Sequence, residues 1–159
     1  MMPKKENAVN LQLILLGYNE AFERLQTGRS TARMAADSCR LYIPLLETLG
    51  WADVIEEWIN EKYGKKWVKQ LPASVHHLEE VIIGFRYARN VVHHRWSTAV
   101  ELDEQPFLLQ DWIWKNNLPS TKPQPTNEAA YKSRLAGRAL RHTFKDLHTL
   151  YREVEANFS

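Results

Sequence analysis

Cysteine is the residue type that this chain most clearly lacks, because Cys39 is the only one among 159 residues. A single cysteine excludes an intrachain disulfide and a zinc site built from cysteines. Apolar neighbours such as Ala35 and Ile43 predict that Cys39 is a small buried side chain rather than a catalytic thiol. Glycine is scarce as well, and its six scattered positions form no phosphate-binding loop of the kind found in ATPases and kinases.

Long apolar runs and an excess of charge of one sign are also missing. No stretch reaches the length of about 20 apolar residues that a membrane-spanning helix requires. The basic N-terminus is followed by an apolar stretch that Asn10, Gln12, Gly17 and Glu20 interrupt, so it does not form a signal peptide. A net charge of +2 is too small to indicate a nucleic-acid binder by itself. We therefore expect one cytoplasmic domain over residues 1–159, without membrane partner or cofactor.

Apolar side chains recur at three- and four-residue spacing through most of the chain, which predicts amphipathic helices. No strand-like alternation of useful length is present, so the sequence predicts an all-α bundle of four to five helices. In the first half of the chain we expect a helix over 11–27 stopped by Gly28, a helix over 31–49 capped by Ser30 or Thr31 and kinked or divided by Pro44, and a short helix after Gly50 that ends near Gly64. A basic connection over 65–72 leads to a long helix from Ala73 or Ser74 to about Leu102. A proline-rich loop segment over 103–127, with a short helix that contains Phe107, Leu108, Trp112, Ile113 and Trp114, precedes a final helix capped by Asn127.

The long third helix carries the run Arg89-Asn90-Val91-Val92-His93-His94. At about 100° per residue, one helix face is expected to enter the core, and Arg89 and His93 lie at its edge. The members of that core face are Leu78, Val81, Phe85, Ala88, Val92, Trp96 and Ala99. Asn90 and His94 lie further round the helix, where they form a stripe with Ile83 and Tyr87. This mixed stripe indicates either a surface that contacts a second subunit or a partly exposed face beneath the 103–127 segment.

These residue types match the needs of RNA cleavage without a metal. RNA supplies its own nucleophile, the 2′-hydroxyl, so the protein needs a base, a cation for the phosphate and an acid for the leaving oxygen. Histidine can serve as base and acid because its ordinary pKa is about 6.5. Arginine stays charged and matches two phosphate oxygens, which suits Arg89 to the cation role. Asn90 precedes His94 by one turn and can orient that imidazole or the substrate.

The motif resembles that of the HEPN superfamily (higher eukaryotes and prokaryotes nucleotide-binding domains), whose helical members carry Arg-x4–6-His, often with a polar residue after the arginine. Arg89-Asn90-x3-His94 is similar to its common form. The resemblance implies that His94 is the general base or acid, that Arg89 binds the scissile phosphate and that Asn90 orients them. It also implies a homodimer with both motifs in one cleft, a cyclic phosphate product, and a toxin, defence or phage-conflict setting in which an antitoxin or regulatory protein is a partner. His93 is a competing histidine, and Trp96 stands where one toxin subgroup has a modifiable tyrosine.

Other charged positions are candidates for substrate contact. Arg86 lies on the same helix, and Arg134, Arg138, Arg141 and Lys145 recur along the expected final helix as either an RNA-binding stripe or a solvated face. Lys65, Lys66 and Lys69 surround Trp67, which either stacks on a base or caps the core. Trp112 and Trp114 are candidates for exposed, ligand-binding aromatics. The spacing of His76, His77, Glu79 and Glu80 does not match a metal site, so none is expected.

Two functions remain open at this point. The first is a metal-independent endoribonuclease whose substrate is RNA, with tRNA as one candidate. The alternative is a non-catalytic helical module of the same fold that binds RNA, nucleotide or a protein partner, in which Arg89 and His94 form a structural or ligand-binding network.

Overall fold

The computed structural model describes residues 4–103, 111–119 and 122–158, and their side chains from Leu11 onward. The fold is an all-α bundle, as the sequence predicts, with one small antiparallel hairpin added to it. None of the described helices has a stretch long and apolar enough to cross a lipid bilayer. The described elements are α1 (Lys4–Thr31), α2 (Ser38–Tyr63), α3 (Glu79–Arg95), β1 (Val100–Asp103), β2 (Asp111–Trp114), α4 (Pro125–Arg134) and α5 (Leu140–Phe158), with short 3-10 turns at 35–37, 67–70 and 73–78.

The first two helices form a long hairpin, and the expected stops inside it are wrong. Gly28 lies within α1 and Gly50 within α2, so the helices expected over 31–49 and after Gly50 are one. The first-helix glycines mark close packing instead, because a Cβ on Gly17 would lie 2.5 Å from the ring of Trp51. Pro44 does not end α2, and Ser30 and Thr31 bond back to carbonyls of α1 rather than capping the next helix.

The expected long third helix ends early, at Arg95. Arg95 is followed by Trp96 in the left-handed conformation. Residues 100–102, predicted as helix, and Asp103, predicted as loop, form β1. β1 pairs with β2 from Val100 opposite Trp114 to Asp103 opposite Asp111. The short helix predicted at 107–114 is therefore wrong over 111–114, while Phe107 and Leu108 lie outside the described residues. Each strand has four residues, which is too short to produce a clear alternating pattern.

The expected final helix is two helices, α4 and α5, separated at 135–139. The break occurs because Gly137 adopts φ +73° and donates its backbone N–H to the Trp114 carbonyl at 2.9 Å. The Trp114 N–H in turn donates to the Arg138 carbonyl at 3.0 Å, so the connection pairs with the outer edge of β2. Asn127 is not a cap, since α4 begins at Pro125 after Gln124.

The core contains both tryptophans of β2. Trp112 and Trp114 are almost fully buried, and their indole N–H groups donate to the Ala32 carbonyl at 3.1 Å and to the Thr143 hydroxyl at 2.8 Å. The expectation that they are exposed is therefore wrong, because the hairpin is folded against the helices rather than lying in a loop. Cys39 is exposed, which corrects the expectation of a buried thiol.

His148 of α5 sits among aromatic rings where α5 meets α1. The Tyr18 hydroxyl lies 2.8 Å from its Nε2, and the Phe22 ring packs edge-on at a centroid distance of 4.5 Å. Burial lowers the pKa of His148, and the positive charge of Arg152 lowers it further. Burial raises the pKa of Tyr18 well above its usual value, so its hydroxyl stays protonated and can donate to a neutral imidazole.

This arrangement predicts a loss of stability in mild acid. As pH falls through about 6.5, the unfolded chain takes up a proton on His148 that the folded chain resists, so the free energy of unfolding decreases. His93 contributes with the same sign, because its pKa is also lowered. We expect the unfolding temperature to fall between about pH 7.5 and about pH 5.5, and to fall less in His148→Gln. The exposed His142→Gln on the same helix is the control; equal slopes for wild type and His148→Gln would contradict the assignment.

Candidate functional site

Helix α3 places the six-residue motif at the C-terminal end of a buried helix. Val81, Phe85, Ala88 and Val92 are buried, as the core face predicts. Trp96 is the exception: 81% of its surface is exposed, because α3 ends at Arg95 and the helical geometry that would direct the ring inward stops there. The motif therefore lies on the last two turns of a helix that packs in the core and whose C-terminal end is exposed to solvent.

Arg89 faces α2 and is paired with a carboxylate. Its Nη2 lies 3.4 Å from Oδ1 of Asp53, and about a quarter of each side chain is exposed. The buried Nε of Arg89 has no hydrogen-bond partner among the described residues. One turn earlier, Arg86 forms an ion pair with Glu56, a residue whose pKa is raised by burial and lowered in part by that arginine. Two of the candidate substrate contacts are therefore held by acidic residues of α2.

His93 lies on this same side of α3. Burial lowers its pKa, and the neighbouring Arg89 charge lowers it further, while a hydrogen bond to the Leu46 backbone carbonyl and the Asp53 carboxylate act in the opposite direction. The net effect is a lowered pKa for His93, which favours the neutral form of its imidazole. The structure therefore groups Arg89, His93 and Asp53 between α2 and α3, which we call the Arg89 cluster.

Asn90 and His94 open on a different side, into a surface groove that we call the His94 groove. It is lined by Asn90, His94, Arg95, Lys122 and Gln124, none of which is a carboxylate. The amide N–H groups of Asn90 and Asn127 donate to the Gln124 side-chain oxygen at 3.1 and 2.9 Å, which fixes Gln124 at the groove wall. His94 and Arg95 are both exposed. The groove combines an accessible imidazole with positive charge, so it suits a phosphate.

The structure brings Asn90 together with His94 but does not bring Arg89 to the same groove. His94 comes five positions after Arg89, which corresponds to about 140° around a helix. Arg89 lines a small pocket with Asp53, whereas His94 lines a separate groove. Within one chain, the arginine and the histidine of the motif point to different sides.

The mixed stripe expected as a subunit contact is divided by α4. Tyr87 is only 5% exposed and packs against Tyr131 of α4, with ring centroids 5.4 Å apart. Close approach of α4 requires Gly84, where a Cβ would lie 2.8 Å from Leu135 Cδ1 and 3.3 Å from the Ala130 carbonyl oxygen. Tyr87 is therefore covered by the chain itself and is not free for a partner, while Ile83 is half-buried and Asn90 and His94 remain open to the groove.

The arginine stripe predicted along the final helix does not exist as one face, because Arg134 ends α4, Arg138 lies in the connection and Arg141 begins the exposed side of α5. Each arginine faces an acidic residue: Arg134 with Glu80 at 2.8 Å, Arg138 with Asp146 at 3.6 Å, and Arg141 with Asp111 at 2.5 Å. Lys145 is exposed on α5. These positions stabilise contacts between elements, so they do not form a continuous phosphate-binding track.

The surroundings of Trp67 and of His76 decide the two remaining candidate sites, for base stacking and for metal binding. Trp67 is 3% exposed and packs near Phe158, so it caps the core and cannot stack on a base. The lysines around it, Lys65, Lys66 and Lys69, are exposed. His76 bonds to the Leu71 carbonyl at 2.8 Å. Within the part of the chain that is described, no three His, Cys, Asp or Glu side chains converge on a possible metal position.

Sequence reasoning missed Asp53, Arg95, Lys122 and Gln124. Asp53 had a usable signal, because Asp53 and Glu56 repeat the three-residue spacing of Arg86 and Arg89, as expected of paired helix faces. Lys122 and Gln124 had none, since they come from a proline-rich segment whose path the sequence does not specify. Comparisons of this chain with protein-family models, curated proteins and solved structures find no match.

Proposed function

We propose that this protein is a metal-independent endoribonuclease that uses His94 for proton transfer. The observation that carries the proposal is the His94 groove, where an exposed imidazole lies beside Asn90 and Arg95 and none of the described lining residues is a carboxylate. The cations and amide donors among these residues attract a phosphate. Such chemistry needs a group that can accept and return a proton near neutral pH, and an exposed histidine supplies one.

The proposed reaction is an attack of the 2′-oxygen on the adjacent phosphorus. His94 takes the 2′-hydroxyl proton as the O2′–P bond forms, and the P–O5′ bond breaks as O5′ receives a proton from an acid. The products are a 2′,3′-cyclic phosphate and a free 5′-hydroxyl. Arg95 and Lys122 stabilise the charge that grows on the phosphate oxygens, while Asn90 holds the substrate beside the imidazole.

A second copy of the chain completes the proposed site. One chain offers one histidine in the groove and directs Arg89 to another side, whereas the reaction needs a base and an acid. A homodimer that joins two His94 grooves supplies both imidazoles. The resemblance to HEPN ribonucleases supports this arrangement, and it is also the source of the proposed cytoplasmic toxin, defence or phage-conflict role, of tRNA as a candidate substrate and of an antitoxin or regulatory partner.

The first test is cleavage of total tRNA and of a structured RNA in EDTA by the wild-type protein. We expect cleavage to persist after chelation, because the nucleophile comes from the RNA, and the new 3′ ends to carry a cyclic phosphate. End-group analysis by phosphatase and kinase labelling identifies those ends. A folded, dimeric protein that cleaves neither RNA would contradict the nuclease proposal.

A specific observation favours the second candidate, a non-catalytic module that binds RNA, nucleotide or a protein partner. Arg89 and Arg86 are both engaged by carboxylates of α2, as expected of residues that join two helices rather than bind phosphate. In that case Arg89 contributes to stability, and the His94 groove binds a ligand without turnover. The two candidates differ in what loss of Arg89 does, and this difference forms the final prediction of the Discussion.

A further inference from the structure

Trp96 is held in an unusual position for a tryptophan. It ends α3 with φ 49° and ψ 34°, the left-handed conformation that glycine or asparagine normally supplies at a helix end. The ring receives little packing in return, since 81% of its surface is exposed. A large aromatic in a strained, solvent-exposed position is not explained by the stability of the fold.

The backbone around Trp96 is fixed by the residues that follow it. The Ala99 N–H donates to the Ser97 hydroxyl at 3.1 Å, and the Ala99 carbonyl accepts the Lys115 N–H at 2.9 Å. Ala99 is fully buried and also has a positive φ of 56°. The turn is thus anchored to the hairpin, so Trp96 is presented from a rigid base rather than from a free loop.

The surroundings of Trp96 are cationic and polar. His94 and Arg95 directly precede it and line the His94 groove, so its backbone lies at the rim of that groove. Its chain neighbours at 93–95 and 97–98 are all polar or charged. The centre of a protein interface is enriched in apolar side chains, whereas single-stranded nucleic acids are bound by a basic groove with an aromatic that stacks on a base.

We propose that Trp96 is a stacking platform for one unpaired base of a single-stranded RNA whose phosphate occupies the His94 groove. The inference rests on the proposed function for its ligand, and it adds a selectivity that the groove alone does not give. A base inside a duplex is covered by its neighbours and cannot stack on Trp96. The proposal therefore makes the protein a reader of loops or single strands, not of helical RNA.

Binding is measured without cleavage by using a fluorescein-labelled, fully 2′-O-methylated RNA of roughly 12 nucleotides, which lacks the attacking hydroxyl. We expect Trp96→Ala to weaken binding by about tenfold, and Trp96→Phe to retain most of it because a phenyl ring still stacks. A duplex of the same sequence should show no dependence on Trp96. Leu13→Ala removes another exposed apolar side chain, from α1, and is the control.

A spectroscopic readout separates stacking from a change in fold. Trp67, Trp112 and Trp114 are buried, and Trp51 and Trp58 are partly buried, so Trp96 is the most accessible tryptophan of the described chain. We expect the RNA to quench the wild-type emission, and to quench Trp96→Phe much less. Unchanged affinity of Trp96→Ala, equal loss on duplex RNA, absence of RNA binding by the wild type, or dissociation of a dimer in Trp96→Ala would each overturn the proposal.

Failure of this proposal and failure of the nuclease are distinguishable. Tight, Trp96-dependent binding of the methylated RNA without cleavage of ordinary RNA supports the platform and contradicts the nuclease. Cleavage of ordinary RNA by a Trp96→Ala protein that binds like the wild type contradicts the platform and leaves the nuclease intact.

Discussion

His94→Ala is expected to reduce RNA cleavage by at least about 100-fold, while His93→Ala retains activity within about fivefold. The reason is position: His94 opens into a groove lined by Arg95 and Asn90, whereas His93 faces α2 and bonds to the Leu46 carbonyl. An imidazole that is engaged by its own backbone is a poor proton acceptor for a substrate on the other side of the helix. Initial rates on a single tRNA in EDTA, at matched protein concentrations, measure the difference.

The two variants control for each other, because both remove an exposed histidine from the last turn of the same helix. Circular dichroism and the unfolding temperature establish that each variant is folded. His94→Gln adds a further control, since it preserves size and hydrogen bonding but cannot transfer a proton. Full activity in His94→Ala combined with loss in His93→Ala would move the proposed site to the Arg89 cluster between α2 and α3.

The all-α architecture was predictable because it depends on a repeated signal. Apolar spacing over whole helices predicts buried faces, and the core face of α3 is correct from Val81 to Val92. The helix ends were less predictable, because a glycine inside a helix and a glycine after it look alike in sequence. Gly28 and Gly84 serve close packing within the bundle, while Gly64 and Gly137 end or interrupt helices with positive φ.

The hairpin and the exposure of Trp96 could not be predicted by periodicity. Residues 96–102 continue the apolar pattern of α3, so nothing in the spacing shows that the helix stops at Arg95. The stop depends on tertiary pairing of β1 with β2, whose partner residues lie beyond a segment of the chain that the sequence reads as loop. Because α3 was expected to continue to about Leu102 and residues 111–114 were expected in a loop segment, the expected exposures of Trp96 and of Trp114 were both wrong.

The candidate site was predictable as a set of residues but not as an arrangement. The sequence motif identifies Arg89, Asn90, His93 and His94 as candidates, and helix geometry alone gives their relative angles around α3. What faces each of them depends on α2 and on the segment before α4. Asp53 on one side and Gln124 on the other therefore had to come from the structure.

Arg89→Ala tests the role that the HEPN resemblance assigns to Arg89 on the scissile phosphate, a role that requires the guanidinium to leave Asp53; we expect cleavage to fall by about 100-fold, while Asp53→Asn preserves or raises activity. The Asp53 carboxylate pairs with the Arg89 guanidinium where a phosphate would bind, with Nη2 of Arg89 3.4 Å from Oδ1 of Asp53. Removing the carboxylate charge frees the guanidinium for substrate. Both side chains are only about a quarter exposed, so each change also lowers the free energy of unfolding. Cleavage rates and urea unfolding of the two single variants and the double variant measure the two effects separately.

The double variant separates a role of Arg89 on the phosphate from its role in the fold. If Arg89 binds the phosphate, its loss dominates: Asp53→Asn with Arg89→Ala cleaves as poorly as Arg89→Ala alone. The ion pair joins α2 to α3 in either candidate function, so both single variants lose stability and the double variant recovers part of it. Arg24 and Glu47 form a more exposed ion pair between α1 and α2, so Arg24→Ala is a control for loss of a helix-joining arginine away from the site. Equal loss of cleavage in Arg24→Ala and Arg89→Ala would mean that Arg89 acts through the fold and not on the phosphate.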